Sequence, residues 1–191
     1  MFGIRSGTEE PRYDTLATIG KVQIRHYAPR IAASVTVPGN EIGARAAGFR
    51  RVAKYIFGAN KPGSKIAMTA PVAQNSANIA MTAPVAQAAS GGNWTISFYM
   101  PAEYTMETLP TPKDPGIQLQ RVPACTMAVY RYSGIPGVSA TTKAHDALFK
   151  GLSGTAWTVS GQPVDWFYDP PWTLPWARRN EVAVPVAHSP P

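Results

Sequence analysis

The chain has 191 residues, of which 45% are hydrophobic and 10% aromatic, and it carries a formal net charge of +7. This composition is typical of a globular protein rather than a disordered one, and the length suits one domain with a substantial core. No stretch reaches the roughly 18 apolar residues of a membrane-spanning helix. The single cysteine, Cys125, excludes an intramolecular disulfide and a multi-cysteine metal site, and we predict that it is a buried, inert thiol.

The first half of the chain predicts two strands and a helix. Residues 21–27 and 31–37 alternate apolar and polar side chains, as strands do. From Glu41 to Phe57 the period changes to that of a helix, which Gly58 ends. The apolar stripe of this helix carries Ile42, Ala46, Phe49, Ala53, Ile56 and Phe57. Two arginines and Lys54 occupy the rest of its surface.

The nonapeptide IAMTAPVAQ occurs twice, at Ile66–Gln74 and at Ile79–Gln87. Neither copy contains a carboxylate, imidazole, amine or thiol, so the repeat offers no group for acid–base catalysis. Met68 and Met81 are soft side chains that suit the wall of an apolar pocket or a weak metal contact. We therefore predict that the repeat is scaffolding, with two strand segments that fold back as a hairpin through residues 75–78.

The second half of the chain again predicts strands on both sides of one helix. The predicted strands lie at 94–100, 116–122, 126–132, 162–168 and 181–186, and the helix at 138–152. Because both halves have strands, then a helix, then strands, the sequence predicts an α+β protein with a largely antiparallel sheet, made of two similar halves.

The positive charge is concentrated in one region of the chain. Between Ile42 and Ala102 there is no acidic residue, and a second basic pair, Arg178 and Arg179, follows near the C-terminus. The cations of the first region are Arg45, Arg50, Arg51, Lys54, Lys61 and Lys65. This basic face suits an anionic partner, but no nucleic-acid-binding motif accompanies it, so no nucleic-acid partner is expected.

Three separated motifs carry a resemblance to a known family. They are AKYIFG at the end of the first helix (Ala53–Gly58), KIAMTAPV (Lys65–Val72), and the distal pair YDPPW (Tyr168–Trp172) and RRNEV (Arg178–Val182). In this order the chain resembles the SOUL/haem-binding protein family over residues 13–186, and the doubled IAMTAPV resembles that of its bacterial branch. The resemblance implies a distorted antiparallel β-barrel with two flanking helices, built from a duplicated β-α-β-β unit. It implies one domain over residues 13–187, with flexible ends at 1–12 and 188–191.

The resemblance also implies a function. Members bind haem or another tetrapyrrole in a shallow apolar groove rimmed by Arg and Lys, between the first helix and the loop before the final strand, and the expected role is that of a haem carrier or buffer. The implied contacts are Phe49, Ala53, Lys54 and Phe57 on the helix and Trp172, Leu174, Trp176, Arg178 and Arg179 in and after the loop. These residue types agree with the needs of a flat apolar dianion, which are an aromatic and aliphatic surface beside cations.

The three histidines are the candidate iron ligands. His26 shares strand parity with Val22 and Ile24 and is the candidate axial ligand, with packing in the core as the alternative. His145 is expected to pack on or beside the buried face of the second helix, and His188 to lie in a terminal tail. Binding is expected to depend on contacts in the groove more than on one axial histidine.

Two other classes of function stay open at this point. An enzyme that acts on a small ligand or on the tetrapyrrole itself is the main alternative, because related effector-binding barrels hold small molecules. No catalytic residue is predicted, since no acid–base pair is evident in the sequence. A nucleic-acid or anionic-membrane binder that uses the basic face is the third class. The oligomeric state is open, and the compartment is periplasmic if an export segment has been removed and cytoplasmic otherwise.

Overall fold

The computed structural model describes residues 8–77, 92–170 and 172–189. The helices are α1 (Glu41–Ile56) and α2 (Val138–Leu152), and a short 3-10 turn spans Pro175–Ala177. The strands are β1 (Tyr13–Ile19), β2 (Val22–Tyr27), β3 (Arg30–Pro38), β4 (Asn60–Lys61), β5 (Val72–Ser76), β6 (Asn93–Tyr99), β7 (Thr111–Pro112), β8 (Ile117–Val122), β9 (Cys125–Tyr132), β10 (Trp157–Val159), β11 (Val164–Phe167) and β12 (Asn180–His188). The strand pairs described below are antiparallel, which confirms the α+β class with two helices.

The chain forms two compact units, which we call the central unit (Arg30–Val122) and the terminal unit (Met1–Pro29 with Pro123–Pro191). In the central unit the strand order is β5-β6-β3-β8, and α1 follows β3. In the terminal unit the order is β11-β12-β9-β2-β1, α2 follows β9, and β10 also pairs with β12. Each unit therefore contains a strand, a helix and two strands in the same arrangement. β8, from the second half of the sequence, completes the sheet of the central unit. β1 and β2, from the first half, complete the sheet of the terminal unit.

The face of α1 that packs on the central sheet is lined by small residues. Ala44, Gly48 and Val52 are buried on this face. A Cβ atom added to Gly48 would lie 2.4 Å from Cγ1 of Ile96. A residue with a side chain at position 48 would therefore clash with β6, and glycine allows the helix to approach the strand this closely. Because alanine and glycine contribute little to a hydrophobic pattern, the sequence gives only a weak signal that this face of α1 is buried.

The apolar stripe that predicted α1 is, for the most part, not the face that packs on the sheet. Ile42, Phe49 and Phe57 are 55%, 39% and 59% exposed, whereas Ala53 and Ile56 of the same stripe are buried. The helix is thus apolar on two sides, of which one is covered by the sheet within the central unit.

The terminal unit has a different covering on each face of its sheet. On one face, α2 packs Ala144, Leu148 and Leu152 against Val22, Ile24 and the apolar residues of β12. The bounds of α2 are those that the sequence predicted. The opposite face carries buried polar and aromatic side chains, namely Arg25, Tyr27, Trp166 and Glu181. Cys125, expected to be buried, is half-buried at the start of β9.

The first copy of the repeat is part of the framework of the central unit. Ile66 is buried, and the hydroxyl of Thr69 donates to the carbonyl of Tyr99. Gln74, fully buried in β5, donates from Nε2 to the carbonyl of Glu41 at 2.8 Å and accepts from Nε of Arg45 at 2.6 Å. These contacts are those of scaffolding. The second copy and the predicted hairpin lie outside the described residues.

Candidate functional site

The exposed side of α1 is the first surface that the sequence singled out. Asn40 begins the helix, its Oδ1 accepting from the backbone of Gly43 at 2.8 Å, and Gly58 ends it in the left-handed region. Phe49 rests its ring against that of the buried Phe98, with centroids 5.4 Å apart, and its outer part reaches solvent. Phe57 projects further. Ala53, between them, is buried and offers at most a small contact area to a ligand.

Cations flank this apolar stripe on α1. Arg50 and Lys54 are exposed beside it. Arg51 is engaged elsewhere, because its Nε and Nη2 donate to the two carboxylate oxygens of Asp114 at 2.7 and 2.6 Å. The hydrogen bond from Arg51 lowers the pKa of Asp114, and Lys54 adds a smaller electrostatic effect in the same direction. The arrangement places an exposed ammonium next to exposed phenylalanines within one unit.

The loop before β12 is the second surface, and it belongs to the terminal unit. Trp172, Leu174 and Trp176 are 83%, 49% and 73% exposed, which is unusual for two tryptophans in one short segment. Two hydrogen bonds to backbone carbonyls fix the position of the loop. The backbone of Gly134 donates to the carbonyl of Pro175 at 3.0 Å, and Nε of Arg178 donates to the carbonyl of Thr173 at 2.8 Å. We call the segment 172–176 the tryptophan loop.

Arg179, predicted as a cationic contact, is already bound within the terminal unit. Its Nε donates to Oε1 of Glu181 at 3.0 Å, and its Nη1 lies 2.9 Å from Oε2 of Glu10. The guanidinium carbon lies 3.8 Å from the centroid of the Tyr168 ring. The resemblance indicated Arg179 as a cation but gave no sign of these partners, because Glu10 is far away in sequence.

Glu181 is the centre of a buried charged network on the same face of the sheet. It is fully buried in β12 and accepts from Nη1 and Nη2 of Arg25 at 2.9 and 3.1 Å and from the hydroxyl of Tyr168 at 2.7 Å. Burial alone would raise the pKa of Glu181, but these donors together with Arg179 outweigh it, so the pKa lies below its ordinary value. Burial also raises the pKa of Tyr27 and of Tyr168. The network therefore holds a charged carboxylate inside the unit.

The three histidines lie in different surroundings. His26 is exposed and its Nδ1 is 3.1 Å from Oγ1 of Thr126. The alternative that His26 packs in the core is wrong, because its side chain is exposed, whereas Val22 and Ile24 on the same strand pack against α2. His188 is the last residue of β12 rather than part of a tail, and its ring packs edge-on against Trp157.

His145 forms a pair that the sequence did not reveal. Its Nε2 lies 2.7 Å from Oδ1 of Asp165, which is buried on β11 on the face that α2 covers. The periodicity of α2 placed His145 at the border of the buried face, and this is where it lies. Residues 145 and 165 are brought together only because α2 packs on β9 and β12, and β11 pairs with β12. The pair is an imidazole beside a carboxylate, and nothing in the sequence pattern links the two residues.

Neither a cluster of metal ligands nor a membrane-spanning helix is found in the described residues. Within residues 8–77, 92–170 and 172–189, no three His, Cys, Asp or Glu side chains converge as metal ligands. In the same part of the chain, no helix has the length and apolar character needed to cross a membrane.

Solved structures show what the fold is similar to. The C-terminal domain of EcmrR matches with a TM-score of 0.65 and 13% identity, over 92% of this chain and 98% of that one. A hydrolase from Listeria innocua matches with a TM-score of 0.57 and 12% identity, over 90% and 94%. SAV2435 bound to tetraphenylphosphonium matches with a TM-score of 0.52 and 12% identity, over 87% and 93%. At these identities the likeness concerns the fold alone. No curated protein sequence matches the chain.

The family model described as "SOUL heme-binding protein" matches residues 8–185. This span contains the central unit and most of the terminal unit, with α1 and its exposed stripe, the tryptophan loop and the charged network. The resemblance found in three short motifs is thus confirmed over nearly the whole length. The chain belongs to the SOUL haem-binding protein family.

Proposed function

We propose that the protein binds haem or a related tetrapyrrole on apolar surface rimmed by cations, as a carrier or buffer. The observation that carries this proposal is the exposed stripe of α1. Phe49 and Phe57 reach solvent there, beside the ammonium of Lys54 and the guanidinium of Arg50. Exposed aromatic residues in a row are costly to leave in water and mark a surface that a ligand covers.

The residues present fit a tetrapyrrole. A flat macrocycle gains roughly 1.5–3 kcal/mol for each large apolar side chain that it fully covers. Each charge-assisted hydrogen bond to a propionate contributes about 1.5–3 kcal/mol more. Lys54 is the expected propionate contact for a macrocycle on α1, and Arg178 and Arg179 are the expected contacts for one on the tryptophan loop. Bound haem would supply the iron chemistry, and the residues of this chain would bind the macrocycle and orient its carboxylates.

The proposal includes two finer structural features that the resemblance implies. Closure of the strands into a distorted barrel, and an origin of the two halves in a duplicated β-α-β-β unit, are features of the family. The like order of elements in the central and terminal units supports the duplication. An enzymatic role is the alternative. The His145–Asp165 pair is the feature that would supply acid–base groups for such a role.

Haemin is expected to bind with a dissociation constant near micromolar, or roughly −8 kcal/mol. The reason is that contacts on a partly buried surface supply the binding, and no axial bond to the iron is counted in this value. Titration of the protein with haemin, followed by the Soret band, measures this constant. A titration beside it with duplex DNA at two salt concentrations tests the third class of function. An unchanged haemin spectrum at large excess of protein would remove the proposal.

Replacing His26 by alanine is expected to leave the Soret position and the spin state of the bound haemin unchanged. His26 is exposed on β2, and contacts of the macrocycle with aromatic side chains, rather than ligation by this imidazole, hold the ligand in the proposal. Absorption spectra of wild type and variant at saturating protein provide the comparison. A shifted Soret band in the variant would make His26 the axial ligand and move the haem towards β2.

A further inference from the structure

The carboxylate of Glu10 lies on the solvent-facing side of Arg179. Both of its oxygens are within hydrogen-bond distance of Nη1 of Arg179, at 3.2 and 2.9 Å. On its other side the guanidinium donates from Nε to Glu181. The side chain of Glu10 is 32% exposed, whereas that of Glu181 is fully buried. Glu181 is thus the inner partner of Arg179, and Glu10 is the partner that solvent reaches.

The guanidinium of Arg179 is held in position by groups other than Glu10. Its face lies on the ring of Tyr168, at 3.8 Å, and its Nε is bound to Glu181. The backbone N–H of Arg179 donates to Oδ2 of Asp169 at 2.6 Å, which fixes the main chain as well. Without Glu10 the protein would present an oriented and partly exposed guanidinium edge. Such an edge is what a carboxylate-binding site requires.

The surroundings of Arg179 favour an anion with a large apolar part. Arg178, its neighbour in sequence, ties down the tryptophan loop through the carbonyl of Thr173. That loop exposes two tryptophans and a leucine, which precede Arg179 in the sequence by a few residues. In addition, two buried polar atoms of the terminal unit, Nε1 of Trp166 and Oγ1 of Thr173, have no hydrogen-bond partner among the described residues. Polar atoms left in this state are usually satisfied by a bound molecule or water.

We propose that Arg179 is a binding site for a carboxylate of the ligand and that Glu10 occupies this site in the free protein as a tethered competitor. The inference rests on the proposed function, because the incoming group is a propionate of the tetrapyrrole. Exchange of one carboxylate for another keeps Arg179 neutralised, so that the buried pair with Glu181 is not left with an excess charge. The apparent affinity for the ligand is then the intrinsic affinity multiplied by the fraction of protein in which Glu10 has left the site.

The experiment compares two porphyrins that differ only in their carboxyl groups, protoporphyrin IX and its dimethyl ester. Glu10→Gln keeps the size of the side chain and removes its charge. This variant is expected to bind the free acid about fivefold more tightly than wild type, because the competitor is weakened. Its affinity for the ester is expected to stay the same. Quenching of tryptophan fluorescence gives both dissociation constants.

Glu107→Gln is the matched control, since Glu107 is also a carboxylate paired with an arginine, Arg121, at 3.1 Å on the surface of the central unit. It makes the same change of net charge and is expected to alter neither constant. Equal affinity of wild type and Glu10→Gln for the free acid would overturn the inference and leave the proposed function standing. A gain that is the same for acid and ester would also overturn it. If wild type bound neither porphyrin, the proposed function itself would fail.

Discussion

Replacing Arg25 by methionine is expected to lower the free energy of unfolding by about 3–5 kcal/mol. Arg25 makes two hydrogen bonds to the carboxylate of Glu181, which has no access to water. Methionine fills a similar volume but leaves the buried carboxylate with one cation fewer. Urea unfolding of both proteins at neutral pH, followed by circular dichroism, measures the difference.

The exposed pair between Arg121 and Glu107 serves as the control for this experiment. Their side chains are 68% and 72% exposed, and water screens the attraction between them. Arg121→Met is therefore expected to leave the unfolding midpoint within experimental error. If the Arg25 and Arg121 variants were equally stable, the buried network would not contribute as the structure indicates.

The same network predicts how stability depends on pH. The pKa of Glu181 is lower in the folded protein than its ordinary value of 4.5, so its contribution to stability is complete above that value and is lost as the pH falls through the folded pKa. Wild type is expected to lose stability on acidification below about pH 4.5. Glu181→Gln should show a smaller loss over the same range, although it is less stable at neutral pH. Unfolding midpoints from neutral to acid pH test the difference in slope.

Replacing Phe57 by alanine is expected to weaken haemin binding about tenfold, and Phe49→Ala by a similar factor. A large apolar side chain covered by ligand contributes roughly 1.5–3 kcal/mol, and about 1.4 kcal/mol is a factor of ten. Phe57 is 59% exposed, so its loss should affect stability little, and a change in affinity then reports on the ligand contact. Haemin titrations of the two variants and wild type give the factors.

Two further variants make this test specific. Leu16 is an apolar residue of β1 with a similar exposure of 54%, and Leu16→Ala is expected to bind haemin as wild type does. Trp172→Ala tests the tryptophan loop in the same assay. If Trp172→Ala weakened binding and both phenylalanine variants bound normally, the macrocycle would lie on the loop rather than on α1. If none of the three changed the affinity, neither surface would be the site.

The sequence pattern identified more of the candidate site than of its electrostatics. Phe57, Trp172 and Trp176 were singled out by the resemblance, and the structure places all three at the surface. The engagement of Arg179 was not foreseen, because a motif shows that a cation is present and not which carboxylates neutralise it. Glu10 reaches it from the opposite end of the chain. Whether an arginine is available to a ligand is a property of the folded unit.

By itself, the sequence determined where both helices and most of the long strands lie, although it did not indicate β1 or β10. The bounds of α2 and the position of β9 follow from periodicity and from the glycines and prolines around them, since these are local properties of the chain. The sequence also determined the family, because three short motifs in a fixed order can be recognised without knowing what their residues contact.

Only the tertiary structure decided which sides of those elements face inward and which side chains meet. Close packing of Gly48 on Ile96 turned the strong apolar stripe of α1 towards solvent. The limited reach of α2 left His26 exposed although its strand parity matches that of buried neighbours. Pairing partners and burial depend on residues distant in sequence, whose distances are set by the fold as a whole and leave no periodic trace in the chain.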